Sequence, residues 1–278
     1  MDMRAPSSPT APATQARAIV TVRGHMGELV QGRLAGVVAL VTLPCDQVLV
    51  TARFAPGATA SPLAERMAAR LRPVHDGKIE IGANVPAGCG AGVSTASALA
   101  SLRLLSPGLS AEIESAHLLA VEGAVDPLAF AANPPRIWAS RRAETLEILP
   151  DFPPMVAVGG FDGPGQRTNP EDLDFPDMAE AFDLLRHPTP ENIGRAANLS
   201  AMANQTRNPR PNWAAAQHLA AETGALGIAV AHTGSALSLL FMPDAPGIAT
   251  AQSALTNLGL THVMRFAFGG AAPMLAAS

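Results

Sequence analysis

The chain has 278 residues, 48% of them hydrophobic, and a formal net charge of −4. Its length fits one large domain or two lobes with a sizeable core, and its mild acidity excludes the broad basic surface that holds nucleic acid or an anionic membrane. Two cysteines, Cys45 and Cys89, make no disulfide framework and have no histidines at zinc spacing, so a cytoplasmic compartment is expected.

Residues 1–16 are rich in Pro, Ser, Thr and Ala and lack the apolar centre of a signal peptide, so they read as a disordered tail. No run approaches the roughly 18–20 apolar residues that span a bilayer. Ordered structure is expected from Ala18–Val22, a β-branched strand ending at Gly24. After GHMGELVQGRLAG come strands at Val37–Leu43 and Val48–Arg53 in a hairpin-rich opening. A helix at Pro62–Leu71 and a strand at Lys78–Ile81 lead into the loop that starts at Val85. Helices follow at Ser94–Leu104 and Ser110–Val121, the second capped by Ser110. A strand at Leu146–Leu149 and the prolines of 150–154 mark a lobe boundary, giving lobes of 17–150 and 151–278. The second lobe reads as strand (Met155–Val158), a Gly/Pro/Asn loop, and helices at Asp177–Leu185, Glu191–Met202 and Asn212–Glu222. Strands at Gly227–His232 and Ala236–Phe241, a helix at Ile248–Leu258 and a strand at His262–Phe268 complete it. The class is α+β, with helices packed on antiparallel sheet.

The loop VPAGCGAGVSTASAL, Val85–Leu99, runs into a helix of small residues. Gly88, Gly90 and Gly92 permit positive φ and close approach of a ligand, and amides converging at a helix start form an anion site. A glycine-rich turn that binds nothing is the competing reading. A Walker A loop is excluded because no lysine lies near; Lys78 is the only lysine in the chain. A dinucleotide fingerprint lacks its acid about twenty residues on. A cysteine-phosphatase loop around Cys89 lacks an arginine for the phosphate. Further on, AVEGAVDPLAF places Glu122 and Asp126 four apart. Pro127 disfavours helix at the residue before it, so Asp126 either caps a short helix starting at Pro127 or serves chemistry. Glu122 stands near a helix C-terminus, where the dipole disfavours a carboxylate, and so asks for another reason to be there.

The segment from Pro86 through Gly90-Ala91-Gly92-Val93-Ser94-Thr95-Ala96 resembles the central P-x-x-x-G-L-G-S-S-A motif of the GHMP kinases. EGAVDPLAF is similar to their E-G-x-x-D-N-V-A-P segment. GHMGELVQG at Gly24–Gly32 and AHTGSALSLLF at Ala231–Phe241 resemble segments of the L-threonine kinase branch, which serves propanediol utilisation and cobalamin synthesis. The resemblance implies a two-lobe GHMP kinase fold, with an N-terminal lobe like ribosomal protein S5 domain 2 and a ferredoxin-like C-terminal lobe. It implies ATP and Mg²⁺ as cofactors. Pro86, Gly88, Cys89, Gly90, Ala91, Gly92, Ser94 and Thr95 would form the triphosphate loop. Ser94 and Glu122 would hold the metal, and Asp126, with Ser94, would be catalytic. Glu28, Gln31, His232 and Thr233 would contact a small hydroxy amino acid, L-threonine first and homoserine as the alternative. A turn carboxylate at Glu28, a turn residue at Gln31 and a core histidine at His232 are the plain structural readings. Val93, Ser97 and Cys89 depart from the family pattern, which leaves open a non-catalytic nucleotide-binding relative. Nucleic acid and membrane are not expected partners.

Overall fold

The computed structural model describes residues 18–59, 61–71 and 78–270. The expected N-terminal tail, 1–16, lies outside them. Two long antiparallel strands, β1 (Ile19–Leu34) and β2 (Val37–Ala55), form the spine of the first half. The sequence reading ended the first strand at Gly24 and split the second, but irregularities absorb both breaks. Arg23 pairs with Leu49 and Gly24 with Cys45, so residues between Cys45 and Leu49 bulge out of the ladder. The register slips twice more between His25 and Val30, and Gly27 takes a φ of 79°. Bulges of this kind re-aim side chains without ending the strand; here they turn His25 and Glu28 toward one spot.

Helix α1 (Pro62–Leu71) falls where the apolar spacing places it, and β3 (Lys78–Ala83) pairs with β2. Helices α2 (Val93–Leu105) and α3 (Ala111–Glu122) follow, the second capped by Ser110, whose hydroxyl accepts from the Ile113 amide at 3.4 Å. The short helix expected from Pro127 does not form. Pro127–Phe130 make one turn, closed by the Phe130 amide on the Pro127 carbonyl at 3.1 Å. The prolines at 134 and 135 leave no room for another turn. The four-residue strand β4 (Arg136–Ala139) carries no alternating pattern and goes unread in the sequence; it pairs with β5 (Glu144–Ile148). Its buried Trp138 anchors the connection by donating its indole N–H to the Val125 carbonyl at 2.7 Å.

The second half contains β6 (Met155–Phe161), α4 (Ala179–Arg186), α5 (Pro190–Gln205), α6 (Trp213–Thr223), β7 (Gly227–Val230), β8 (Ala236–Phe241), α7 (Ile248–Asn257) and β9 (Thr261–Phe268). Its strands lie in the order β7-β8-β6-β9, all antiparallel, the ferredoxin-like β-α-β-β-α-β pattern with α4 and α5 added before α6. Val156, Leu237, Leu239 and Phe241 pack with Leu219 of α6 and Ile248 and Leu255 of α7. Ala157, Ala229 and Leu240 join the larger core with Ile193 and Ala196 of α5. Cover on both faces explains why MVAVGGF and ALSLLF are continuous apolar runs, buried throughout. One nine-stranded sheet joins the two halves through a bridge between Glu28 of β1 and Val230 of β7. Among the described residues no helix is long and apolar enough to cross a membrane.

Candidate active site

The glycine loop sits where the halves meet. Gly88, Gly90 and Gly92 have φ of 81°, 78° and 68°, the left-handed region read from the sequence. Close packing demands them as well: a Cβ on Gly90 would stand 2.1 Å from Ala231 Cβ, and one on Gly92 2.6 Å from the His25 ring. The carbonyls of Gly88 through Ala91 face protein. Gly88 O accepts from the Gln166 amide (2.8 Å), Cys89 O from Ser235 and Ala236 (3.0 and 2.9 Å), Gly90 O from Gly27 (3.0 Å) and Ala91 O from His25 (3.2 Å). None of the backbone amides from Ala87 to Thr95 donates to a described residue, and Gly92 caps α2 without any side-chain bond. With its carbonyls spent and its amides free, the loop presents positive ends of peptide dipoles and of a helix, an anion-binding arrangement. It lines a cleft of about 660 Å³.

Ser94 and Thr95, in the first turn of α2, reach across to the end of α3. The Ser94 hydroxyl donates to Glu122 Oε1 in a very short bond, and Thr95 Oγ1 accepts from the Asp126 amide at 3.4 Å. Glu122 is the last residue of α3, stopped by Gly123 at φ 78°. Its Oε2 is buried without a hydrogen-bond partner, and burial pushes its carboxyl up to about 7. A hydroxyl and a carboxylate with one unused buried oxygen are the hard-oxygen donors that fit Mg²⁺.

The bulged part of β1 supplies the opposite wall. His25 is 2% exposed, and its Nε2 lies 3.1 Å from Asp126 Oδ2 while its Nδ1 lies 3.2 Å from the Gly27 carbonyl. A carbonyl can only accept, so Nδ1 carries a proton; a carboxylate at Nε2 then favours a second proton there. Burial lowers the His25 pKa, but Asp126 and Glu28 outweigh it and the net shift is upward. Glu28 is 7% exposed, accepts from the His232 amide at 2.9 Å, and is pushed up to about 7 by burial. Atoms of His25, Glu28 and Asp126 lie within 4.8 Å of one another.

Gly88, Gly90, Ala91, Gly92, Ser94, Thr95, Glu122, Asp126, Glu28, Gln31 and Thr233 all line the cleft. Three other residues singled out from the sequence do not. Pro86 is exposed outside it, and Cys89 is 3% exposed with its side chain in the core, so Cys89 contributes backbone alone. The His232 ring lies behind Glu28, with Nε2 2.8 Å from Ser200 Oγ and Phe175 stacked on it, and burial with the Arg210 and Arg207 charges holds its pKa down near 3. Sequence reasoning missed His25, although it stands inside the GHMGELVQG segment, and also Arg66 and Arg141, which line the cleft from α1 and the β4–β5 turn. A basic residue on an unremarkable turn carries no local signal.

The two-lobe architecture around this cleft is the GHMP kinase fold, as solved structures show. A mevalonate kinase from methicillin-resistant Staphylococcus aureus superposes with a TM-score of 0.59 at 16% identity, covering 91% of this chain and 99% of that one. The Methanococcus jannaschii mevalonate kinase gives 0.64 at 11% identity, covering 90% and 97%. A homoserine kinase from Cytophaga hutchinsonii gives 0.54 at 14%, covering 95% and 97%. In sequence the chain is similar to the L-threonine kinase of Salmonella typhimurium, 24% identical over 284 residues that cover 91% of this chain and 94% of the relative. No protein-family model matches.

Proposed function

We propose that the protein is an ATP-dependent kinase that phosphorylates the hydroxyl of a small hydroxy amino acid, L-threonine first. The observation that carries this reading is the row of free amides from Ala87 to Thr95, opening on the same cleft as the Asp126 carboxylate. The similarity to an L-threonine kinase supports L-threonine as the acceptor, and the product would be a phosphorylated precursor for the cobalamin side chain. Homoserine is the alternative acceptor.

In this reading the loop amides and the N-terminus of α2 hold the triphosphate, and Arg66 adds positive charge at the rim. Ser94 and Glu122 would hold Mg²⁺, which neutralises phosphate charge when bound. The acceptor oxygen bonds to the γ-phosphorus as the bond from that phosphorus to the ADP oxygen breaks, and Asp126 takes the hydroxyl proton. His25, bonded to Gly27 and paired with Asp126, orients that carboxylate. Glu28 and Gln31 face the acceptor's ammonium from β1. Phosphoryl transfer needs mainly positioning and charge neutralisation, and this wall-to-wall arrangement provides both.

Phosphorus NMR of the purified protein with ATP, Mg²⁺ and L-threonine, homoserine or L-serine tests the proposal. The expected result is ADP together with an O-phospho amino acid, with L-threonine the fastest. Saturable ATP binding with no phosphate transferred to any of the three would overturn it.

A further inference from the structure

We infer that Arg141 is the receptor for the acceptor's α-carboxylate, so that the site selects free amino acids over amino alcohols and amides. The inference rests on the kinase reading and deepens it. Arg141 follows Ser140 at the turn between β4 and β5 and lines the cleft that holds Asp126 and Glu28. Its guanidinium is only partly exposed and has no carboxylate within ion-pair distance among the described residues. Its bonds go to neutral oxygens: Nη1 donates to Ser140 Oγ at 2.8 Å, and Nη2 to the Asp172 carbonyl at a long 3.4 Å. Nε is buried with no partner, and the group lies 5.2 Å from the centre of the Phe175 ring.

The neighbouring acids are all committed. Asp172 gives Oδ2 to Arg207 at 2.5 Å and Oδ1 to the Asp174 amide at 3.1 Å. Asp126 is paired with His25, and Glu28 accepts from the His232 amide. Arg207, itself stacked on Phe175, adds a like charge that works with burial against the attraction of Asp172, Asp126 and Glu28. A partly desolvated cation with no carboxylate in contact favours an incoming one, and a fork of planar donors matches a carboxylate in two places. The cleft therefore carries a cation at Arg141 that is in ion-pair contact with no carboxylate among the described residues, and two acids at Glu28 and Asp126. That polarity complements a zwitterion with its ammonium toward Glu28 and its carboxylate toward the arginine, the hydroxyl beside Asp126.

Comparing L-threonine with L-threoninamide, which keeps the hydroxyl and ammonium but has a neutral amide for the carboxylate, reads this directly. Initial rates with saturating Mg-ATP should show the wild-type KM for L-threonine lower by about tenfold or more, the loss expected for a charge-assisted bond. Arg141→Gln should raise the KM for L-threonine by a similar factor, leave the KM for ATP within about twofold, and abolish the acid-over-amide preference; Arg141→Lys should restore part of it. Equal KM values for acid and amide in the wild type overturn the assignment while leaving the kinase reading intact, and they decide the matter even where Arg141→Gln does not fold. Failure to phosphorylate either compound, or any hydroxy amino acid, overturns the kinase reading and this inference with it.

Discussion

His25 Nε2 lies 3.1 Å from Asp126 Oδ2, the side chains 2% and 22% exposed, and this pair ties the bulge of β1 to the segment after α3. The net upward shift of the His25 pKa makes the pair a source of pH-dependent stability. A histidine raised in the folded state contributes stability that is fully present below its unfolded pKa of about 6.5. That contribution disappears as pH rises through the folded value. Asp126→Asn should therefore cost about 1 kcal/mol near pH 5.5, the order expected of a partly exposed ion pair, and less near pH 9. Urea denaturation at the two pH values measures it; a cost that does not shrink with rising pH would show that the imidazolium is not the partner.

Glu28 moves stability with pH in the same sense, but there the substitution is the stabilising change. Burial, reinforced by Asp126 and opposed by His25 and Arg210, lifts it from 4.5 to about 7, so the wild-type apo protein loses stability as pH climbs from about 4.5 through 7. Glu28→Gln removes that cost. The variant is expected to gain on the order of 2–3 kcal/mol relative to wild type between pH 4.5 and pH 8, while its KM for the amino acid acceptor rises. Thermal unfolding across that pH range, alongside acceptor kinetics, separates the two effects; parallel stability curves would contradict the buried titration.

The pairing of Ser94 with Glu122 puts both donors at one point of the cleft. Ser94→Ala and Glu122→Gln should each lower kcat by about 10² or more, since metal neutralisation of phosphate charge is worth several kcal/mol. Circular dichroism should show the fold unchanged. Turnover of Glu122→Gln at the wild-type rate would remove the metal assignment.

Within the loop, backbone and side chain should separate cleanly. Gly90→Ala would bring a Cβ within 2.1 Å of Ala231 Cβ and 2.6 Å of the Thr233 carbonyl at a φ of 78°. It is expected to shift the loop, lower ATP affinity by about tenfold or more, and destabilise by roughly 1–3 kcal/mol. Cys89→Ala, by contrast, removes a core side chain whose carbonyl alone docks the loop. ATP affinity should stay within about threefold, with a stability loss near 1 kcal/mol. Fluorescent-nucleotide titration of both variants distinguishes a scaffold of amides from a reactive thiol.

Local chemistry made part of this protein legible from its residues. Positive φ at Gly88, Gly90 and Gly92, the Ser110 cap, the helix at Pro62–Leu71 and the continuous apolar runs of β6 and β8 depend on neighbours in the chain or on burial period. The Glu122 argument was legible too: a carboxylate against the dipole of a helix C-terminus needs a partner, and Ser94 provides one.

The full extent of β1 and β2 is not legible in the residues because a bulge is a property of two paired strands, invisible in either alone. The pairing of Asp126 with His25 depends on that bulge, and with only a single turn after Pro127 there is no helix there for Asp126 to cap. His232 carries the same residue type in the cleft or behind it, and only the packing of Ser200 and Phe175 put it behind. Residue identity and short-range geometry determined which groups could bind an anion or a metal. Tertiary structure alone decided which charges met and which, like Arg141, form no ion pair among the described residues, because electrostatic partnership depends on distance in space and on the water excluded around it.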